Sequence, residues 1–180
     1  MKATRPKSNF VPCPEGTWPG VCIDVVDKGM VPTGYGPKHK VQFRFLADAE
    51  PRRADRKPYF VSKKVNLSMG KKSNLRPMLE LWRGKKFATE DEAYEFELDT
   101  VIGAPCQLQV SHESGDDGPY AIVQAVFKAI PGVARVAMPT DYTREKDRPG
   151  YVAPEVPEEE DFAPAADFDT FQATEEDLPF

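Results

Sequence analysis

Histidine and cysteine are scarce in this 180-residue chain: two histidines, His39 and His112, and three cysteines, Cys13, Cys22 and Cys106. The cysteines are widely spaced and odd in number, and no C-x-x-C pair occurs. A structural zinc site needs four close-set Cys or His ligands, so the thiols read as buried or incidental rather than as metal ligands or a disulfide framework. There is no run of about 18 apolar residues, which argues against a membrane-spanning helix. Met1-Lys2-Ala3-Thr4-Arg5-Pro6 has no apolar stretch behind its charges, so no secretory signal is expected and the expected location is the cytoplasm. Catalytic signatures are missing too: no Gly-rich phosphate loop, no G-x-S-x-G and no H-E-x-x-H.

The charge is unevenly placed. The net charge is -5, yet ten of the 29 acidic residues fall between Pro149 and Phe180 with no basic residue among them. The first 148 residues therefore hold all 24 basic residues against 19 acids, a net of +5. The excess is densest from Lys38 to Lys86, with fifteen Lys or Arg against Asp48, Glu50, Asp55 and Glu80. Such asymmetry describes a basic body with an acidic tail and points to a polyanionic partner.

Periodicity divides the body into elements. Val21, Ile23 and Val25 alternate with Cys22, Asp24 and Val26, a first strand. Glycines and prolines between Lys28 and Pro37 mark a loop. Val41, Phe43 and Phe45 alternate with Gln42 and Arg44 in a second strand. A charged loop from Asp48 to Lys57 precedes a third, about Pro58 to Ser68, where Tyr59, Val61, Val65 and Leu67 oppose Phe60, Ser62, Lys64 and Asn66. Leu75, Met78, Leu79 and Trp82 then follow i, i+3, i+4, i+7, an amphipathic helix capped near Ser73 or Asn74 and stopped at Gly84. Pro77 falls within its first turn. Thr89 and Glu92 form a capping-box pair for a short second helix. Cys106, Leu108 and Val110 mark a fourth strand, Gly115-Asp116-Asp117-Gly118 a hairpin turn, and Tyr120 to Ala129 a fifth strand. Three strands, a helix and a two-stranded hairpin is the element order of an OB-fold, an all-β, five-stranded, partly open barrel that commonly binds oligonucleotides. The expected organisation is an N-terminal arm over 1–14, this domain over 15–135, and a disordered, proline-rich acidic tail over 136–180.

Several stretches carry a family resemblance across roughly Glu15 to Gly132. Lys71-Lys72-Ser73-Asn74-Leu75-Arg76 with Leu79, Trp82, Arg83-Gly84 and Phe87 is similar to the helix segment of phage-encoded single-stranded DNA-binding proteins. Ile102-Gly103-Ala104-Pro105-Cys106 with Val110 and His112 resembles the start of that family's fourth strand, and Gly118-Pro119-Tyr120-Ala121-Ile122 the start of its last. The resemblance implies an OB-fold that binds single-stranded DNA without sequence preference in phage or bacterial replication, recombination and repair. Separately, Glu175-Glu176-Asp177-Leu178-Pro179-Phe180 resembles the acidic docking tip of bacterial single-stranded DNA-binding proteins, with Leu178 where isoleucine is frequent. Phe180 would anchor in an apolar pocket, its carboxylate on a cationic rim, while Pro179 restrains the chain and the acids steer. The alternative for the tail is a solubilising extension.

Single-strand binding without sequence preference needs a basic groove and aromatic platforms. The groove candidates are Lys38, Lys40, Arg44, Arg52, Arg53, Lys57, Lys63, Lys64, Lys71 and Lys72. Tyr35 sits in the first inter-strand loop. Phe60, on the polar parity of its strand, is either a stacking platform or a rim contact. Trp18 is either a platform or part of the core, and Tyr59 is a weaker candidate because it shares parity with Val61. Lys63 shares that apolar parity, which requires a bulge or an open barrel face. No catalytic residue, metal or cofactor is expected. Two rivals stand beside this reading: an adaptor that recruits replication proteins without touching DNA, and a Mg²⁺-dependent nuclease using Glu90, Asp91, Glu92, Glu95 and Asp99. Those acids sit at a helix start, where capping and dipole effects already favour them.

Overall fold

Five antiparallel strands make one sheet: β1 (Gly16–Val31), β2 (Lys38–Ala47), β3 (Tyr59–Asn66), β4 (Pro105–Gly115) and β5 (Gly118–Lys128). Two helices, α1 (Leu75–Arg83) and α2 (Glu90–Tyr94), lie between β3 and β4. The computed structural model describes residues 11–155 except Asp117. The expected docking tip, Glu175 to Phe180, lies outside the described residues, as does most of the expected arm. No helix among the described residues is long and apolar enough to cross a membrane.

The sheet order is β3-β2-β1-β4-β5, which makes β3 and β5 the two edges. The sheet curls until these edges face each other, but no ladder joins them. One face lines the core. Phe43 and Phe45, both fully buried, meet Trp82 of α1 with ring centroids 6.3 and 5.6 Å away. Leu75, Met78 and Leu79 complete the buried stripe of α1, and each fully buried Leu or Phe stabilises by about 1.5–3 kcal/mol. Trp82 Nε1 donates to the Pro105 carbonyl at 3.0 Å, which satisfies the buried indole. Gly84 ends the helix in a left-handed conformation at φ 70°, and its amide bonds to the Glu80 carbonyl. At α2, Thr89 Oγ1 accepts from the Glu92 amide, while the Glu92 carboxylate accepts from Ala88.

Strand β1 departs from simple alternation. Cys22 pairs with Phe45 and Asp24 with Arg44, leaving Ile23 as an extra residue in a β-bulge. Cys22 and Val25 therefore join the core face, and Val21, Asp24 and Val26 the opposite face, across from Leu46, Arg44 and Gln42. The strand also runs on to Val31 through a second irregularity at Asp27–Met30, where a loop is expected. Gly29, at φ 59°, sits in that irregularity, and a side chain there would collide with Pro154 at 2.6 Å.

A second bulge settles the position of Lys63. Val110 pairs with Val123 and Gln109 with Ala125, so Gln124 is the extra residue of β5. The pairing of β3 with β2 is unbroken, and Lys63 extends from the core side of β3 across the gap. Its Nζ donates to the carbonyls of Val123 and Gln124 at 2.7 and 2.8 Å. An open seam, not a bulge in β3, accommodates this cation. Burial pushes its pKa down.

Candidate nucleic-acid interface

The outer face of β1 and β2 is not bare. Beyond β5 the chain folds back over it, and residues 137–148 form a strap that ends in a 3-10 turn at Glu145–Asp147. The strap is held by a buried carboxylate. Asp24, 1 % exposed, accepts from Tyr142 Oη at 2.9 Å, Arg144 Nε at 3.3 Å and the Glu145 amide at 2.9 Å. Arg44, opposite Asp24 in the β1–β2 pairing, is ion-paired with Glu145, which also takes Lys28 at 3.0 Å. Arg144 and Lys146 reach Asp99 at 2.9 and 2.8 Å. These two hydrogen-bonded cations hold the Asp99 carboxyl below the usual range. Burial opposes ionisation of Glu145, but its pairs with Lys28 and Arg44 outweigh burial and lower its pKa as well.

The strap changes two expectations. The tail does not leave the body at residue 136, because residues 137–148 are fixed by ion pairs and hydrogen bonds to Asp24, Lys28, Arg44 and Asp99, all distant in sequence. Arg44 also leaves the set of free cations: its guanidinium is committed to Glu145, Tyr142 and Asp24.

The remaining candidates fall into three groups. The first lines an open groove of about 640 Å³ between the start of β3 and the strap. Phe60, 49 % exposed, stands in this groove facing Met138 and Pro139, with Arg53 and Lys57 on the rim. Arg53 is paired with Asp55 at 3.2 Å and Arg52 with Asp48 and Glu50, all near the surface, where such pairs contribute little and exchange readily. The second group lies along the β3–β5 seam beside α1, where Lys40, Lys63, Lys64 and Asn66 line a cleft of about 510 Å³. The third is the far end of β2. Lys40 pairs with Asn66, which places the Tyr35 loop and Lys38 beside the chain leading to Lys71 and Lys72. Tyr35 is 94 % exposed, and Lys38, Lys71 and Lys72 are exposed. Together they form a cationic band from Lys57 along the outer side of β3 to the loops at its end.

Two aromatic candidates are withdrawn from this surface. Tyr59 is buried, with its hydroxyl donating to the Pro51 carbonyl at 2.9 Å, because its parity is that of Val61. Trp18 is half-buried against the core and donates to the Pro14 carbonyl at 2.9 Å. The groove's second wall, Met138 and Pro139, carries no periodic signal and becomes visible only once the strap is in place.

The acids of the nuclease alternative are partly engaged. Glu90 pairs with Arg76 at 2.8 Å, Glu92 with Arg83 at 2.7 Å, and Asp99 with the strap. The sequence matches no protein-family model and no curated protein.

Proposed function

We propose that this chain is an OB-type single-stranded DNA-binding protein that holds the strand without sequence preference, on the band running from the Phe60 groove along β3 to the Tyr35 loop. The observation that carries this reading is Phe60: a half-exposed aromatic, facing apolar strap residues across an open groove and flanked by Arg53 and Lys57. Every base has a π-face, so an aromatic platform beside cations accepts any sequence, and each stacked base contributes ~1–3 kcal/mol. The OB assignment is supported by the strand order, by edges β3 and β5 that face each other, and by a helix inserted between β3 and β4. The resemblance of the helix segment to phage single-stranded DNA-binding proteins points the same way. Recruitment of replication and recombination proteins through Glu175–Phe180 belongs to the same proposal.

The test is a fluorescence titration with labelled oligo(dT) at several salt concentrations. Binding is expected to weaken steeply with salt, with a log–log slope of about -0.7 per phosphate neutralised. Absent or salt-independent binding would favour the adaptor reading, in which the body docks proteins only.

A further inference from the structure

The seam cleft beside α1 is lined unlike the rest of the band. The Phe60 groove offers an aromatic face and cations, which suits stacking and phosphates. The cleft between β3, β5 and α1, about 510 Å³, has neither an aromatic side chain nor an acid in its lining. It combines an apolar surface with hydrogen-bonding groups. Met78 and Leu81 of α1 supply the apolar part. Leu81 is 51 % exposed and lies off the buried stripe of its helix, so packing within the domain does not account for it. Asn66 and Asn74 supply carboxamides. Asn74 stands at the N-cap of α1, where an Asn side chain ordinarily bonds the first amides, yet it makes no such bond. Lys63 lines the same cleft, half-buried. An ammonium has three donors. Two of them reach the Val123 and Gln124 carbonyls, and among the described residues the third meets no acceptor. Those two bonds hold the group in place, so it can discriminate between ligands where a freely moving surface lysine cannot.

A nucleobase has the complementary chemistry. Its flat faces are apolar enough for Met78 and Leu81, and its edge carries donors and acceptors for carboxamides. Lys40 and Lys64, also on the cleft, are left for the adjoining phosphates. Turning one base out of a single strand costs little, because no pairing is broken. The spare donor of Lys63 selects among bases. Thymine, cytosine and guanine each carry a carbonyl oxygen. Adenine carries none, and the acceptors of its hydrogen-bonding edges adjoin an amino group, whose protons repel an ammonium. We infer that the seam cleft takes one base of the bound strand, with Lys63 donating to its carbonyl and Asn66 and Asn74 pairing with the rest of its edge, so that adenine is disfavoured at that position. This rests on the DNA-binding reading and adds a preference at one position to a grip otherwise indifferent to sequence.

The test uses the full chain and the shortest oligo(dT) that keeps full affinity, so that the register is fixed. Each thymidine in turn is replaced by deoxyadenosine or by deoxyinosine, a purine with a carbonyl in place of adenine's amino group. At one position adenine should weaken binding about tenfold, the equivalent of one hydrogen bond to a charged group, and inosine should not. Lys63→Met should bring the thymine and adenine oligonucleotides for that position to equal affinity. Asn74→Ala, which removes no capping bond, should weaken the thymine oligonucleotide with the melting temperature unchanged. Phe60→Ala should weaken both alike and leave the discrimination in place. The inference is overturned if no position distinguishes adenine from thymine, if inosine is as poor as adenine, or if the discrimination survives Lys63→Met. Should the Lys63 variant not fold, Asn74→Ala decides, and unchanged affinity there overturns the inference. Absence of any binding to oligo(dT) removes the DNA-binding reading as a whole, whereas binding without a discriminating position removes this inference alone.

Discussion

At the scale of single residues, environment decides chemistry. All three thiols are buried and free. Burial pushes Cys13 up to about 11 and Cys22 up to about 12, and Cys106 higher still. The thiolate is the reactive form, so at neutral pH all three should resist a thiol reagent in the native protein and react together once the chain is unfolded. A titration with Ellman's reagent, with and without denaturant, checks this. Phe60 is the opposite case, an apolar side chain left half in solvent. Phe60→Ala should weaken oligo(dT) binding by about tenfold to a hundredfold, the equivalent of one stacked base, with no loss of thermal stability. Tyr59→Phe should leave DNA affinity unchanged, because that hydroxyl serves the Pro51 carbonyl. Parity separated these neighbours from sequence alone. It could not reveal the fate of Arg44, whose partners Asp24 and Glu145 meet it only in the folded chain.

At the scale of elements, the strap is the part that sequence patterning did not register. Residues 137–148 have no apolar period and are rich in charge, which reads as an unpacked tail. They are ordered by specific pairing rather than by a buried stripe: one carboxylate accepts three hydrogen bonds from them. Asp24→Ala should therefore cost about 1–3 kcal/mol, because Arg144 and Tyr142 lose their acceptor, and hydrogen–deuterium exchange should rise first in the strap. The pH dependence has a definite sign. Glu145 and Asp99 have pKa values lowered by folding, so their stabilising contribution is present above the ordinary values of 4.5 and 3.8 and is lost as pH falls through the depressed ones. Acid should loosen the strap before the sheet, seen as early exchange over 139–148 while the β2 amides stay protected. The strands and α1 were legible because hydrophobic period marks them directly. The bulges at Ile23 and Gln124 were not, since each adds one residue without changing the local composition.

At the scale of the whole molecule, the chain remains a basic body joined to an acidic segment, and the boundary between them moves. Pro154 packs on Gly29, so the structured body extends to the edge of the described residues rather than stopping near 136. Nine acids lie beyond Glu155. Removing 156–180, rather than cutting at Pro149, should tighten oligo(dT) binding at low salt and have little effect at high salt, because a tethered polyanion repels DNA from the band and salt screens that repulsion. Parallel titrations of the full and shortened chains measure the difference.

The Lys63 bridge has a consequence for how these molecules treat one another. An open sheet ends in two rows of unpaired backbone groups, and such rows template the addition of strands from neighbouring chains. Here the two rows face each other across a gap, and an ammonium group occupies two of the carbonyls a visiting strand would need. A strand approaching the seam would have to displace a half-buried cation and break its two bonds to these carbonyls. Lys63 therefore acts as a guard against edge-to-edge polymerisation at high concentration. Lys63→Met, which keeps an unbranched side chain one atom shorter and removes the charge, should preserve the fold and raise the propensity to form fibrils on prolonged incubation.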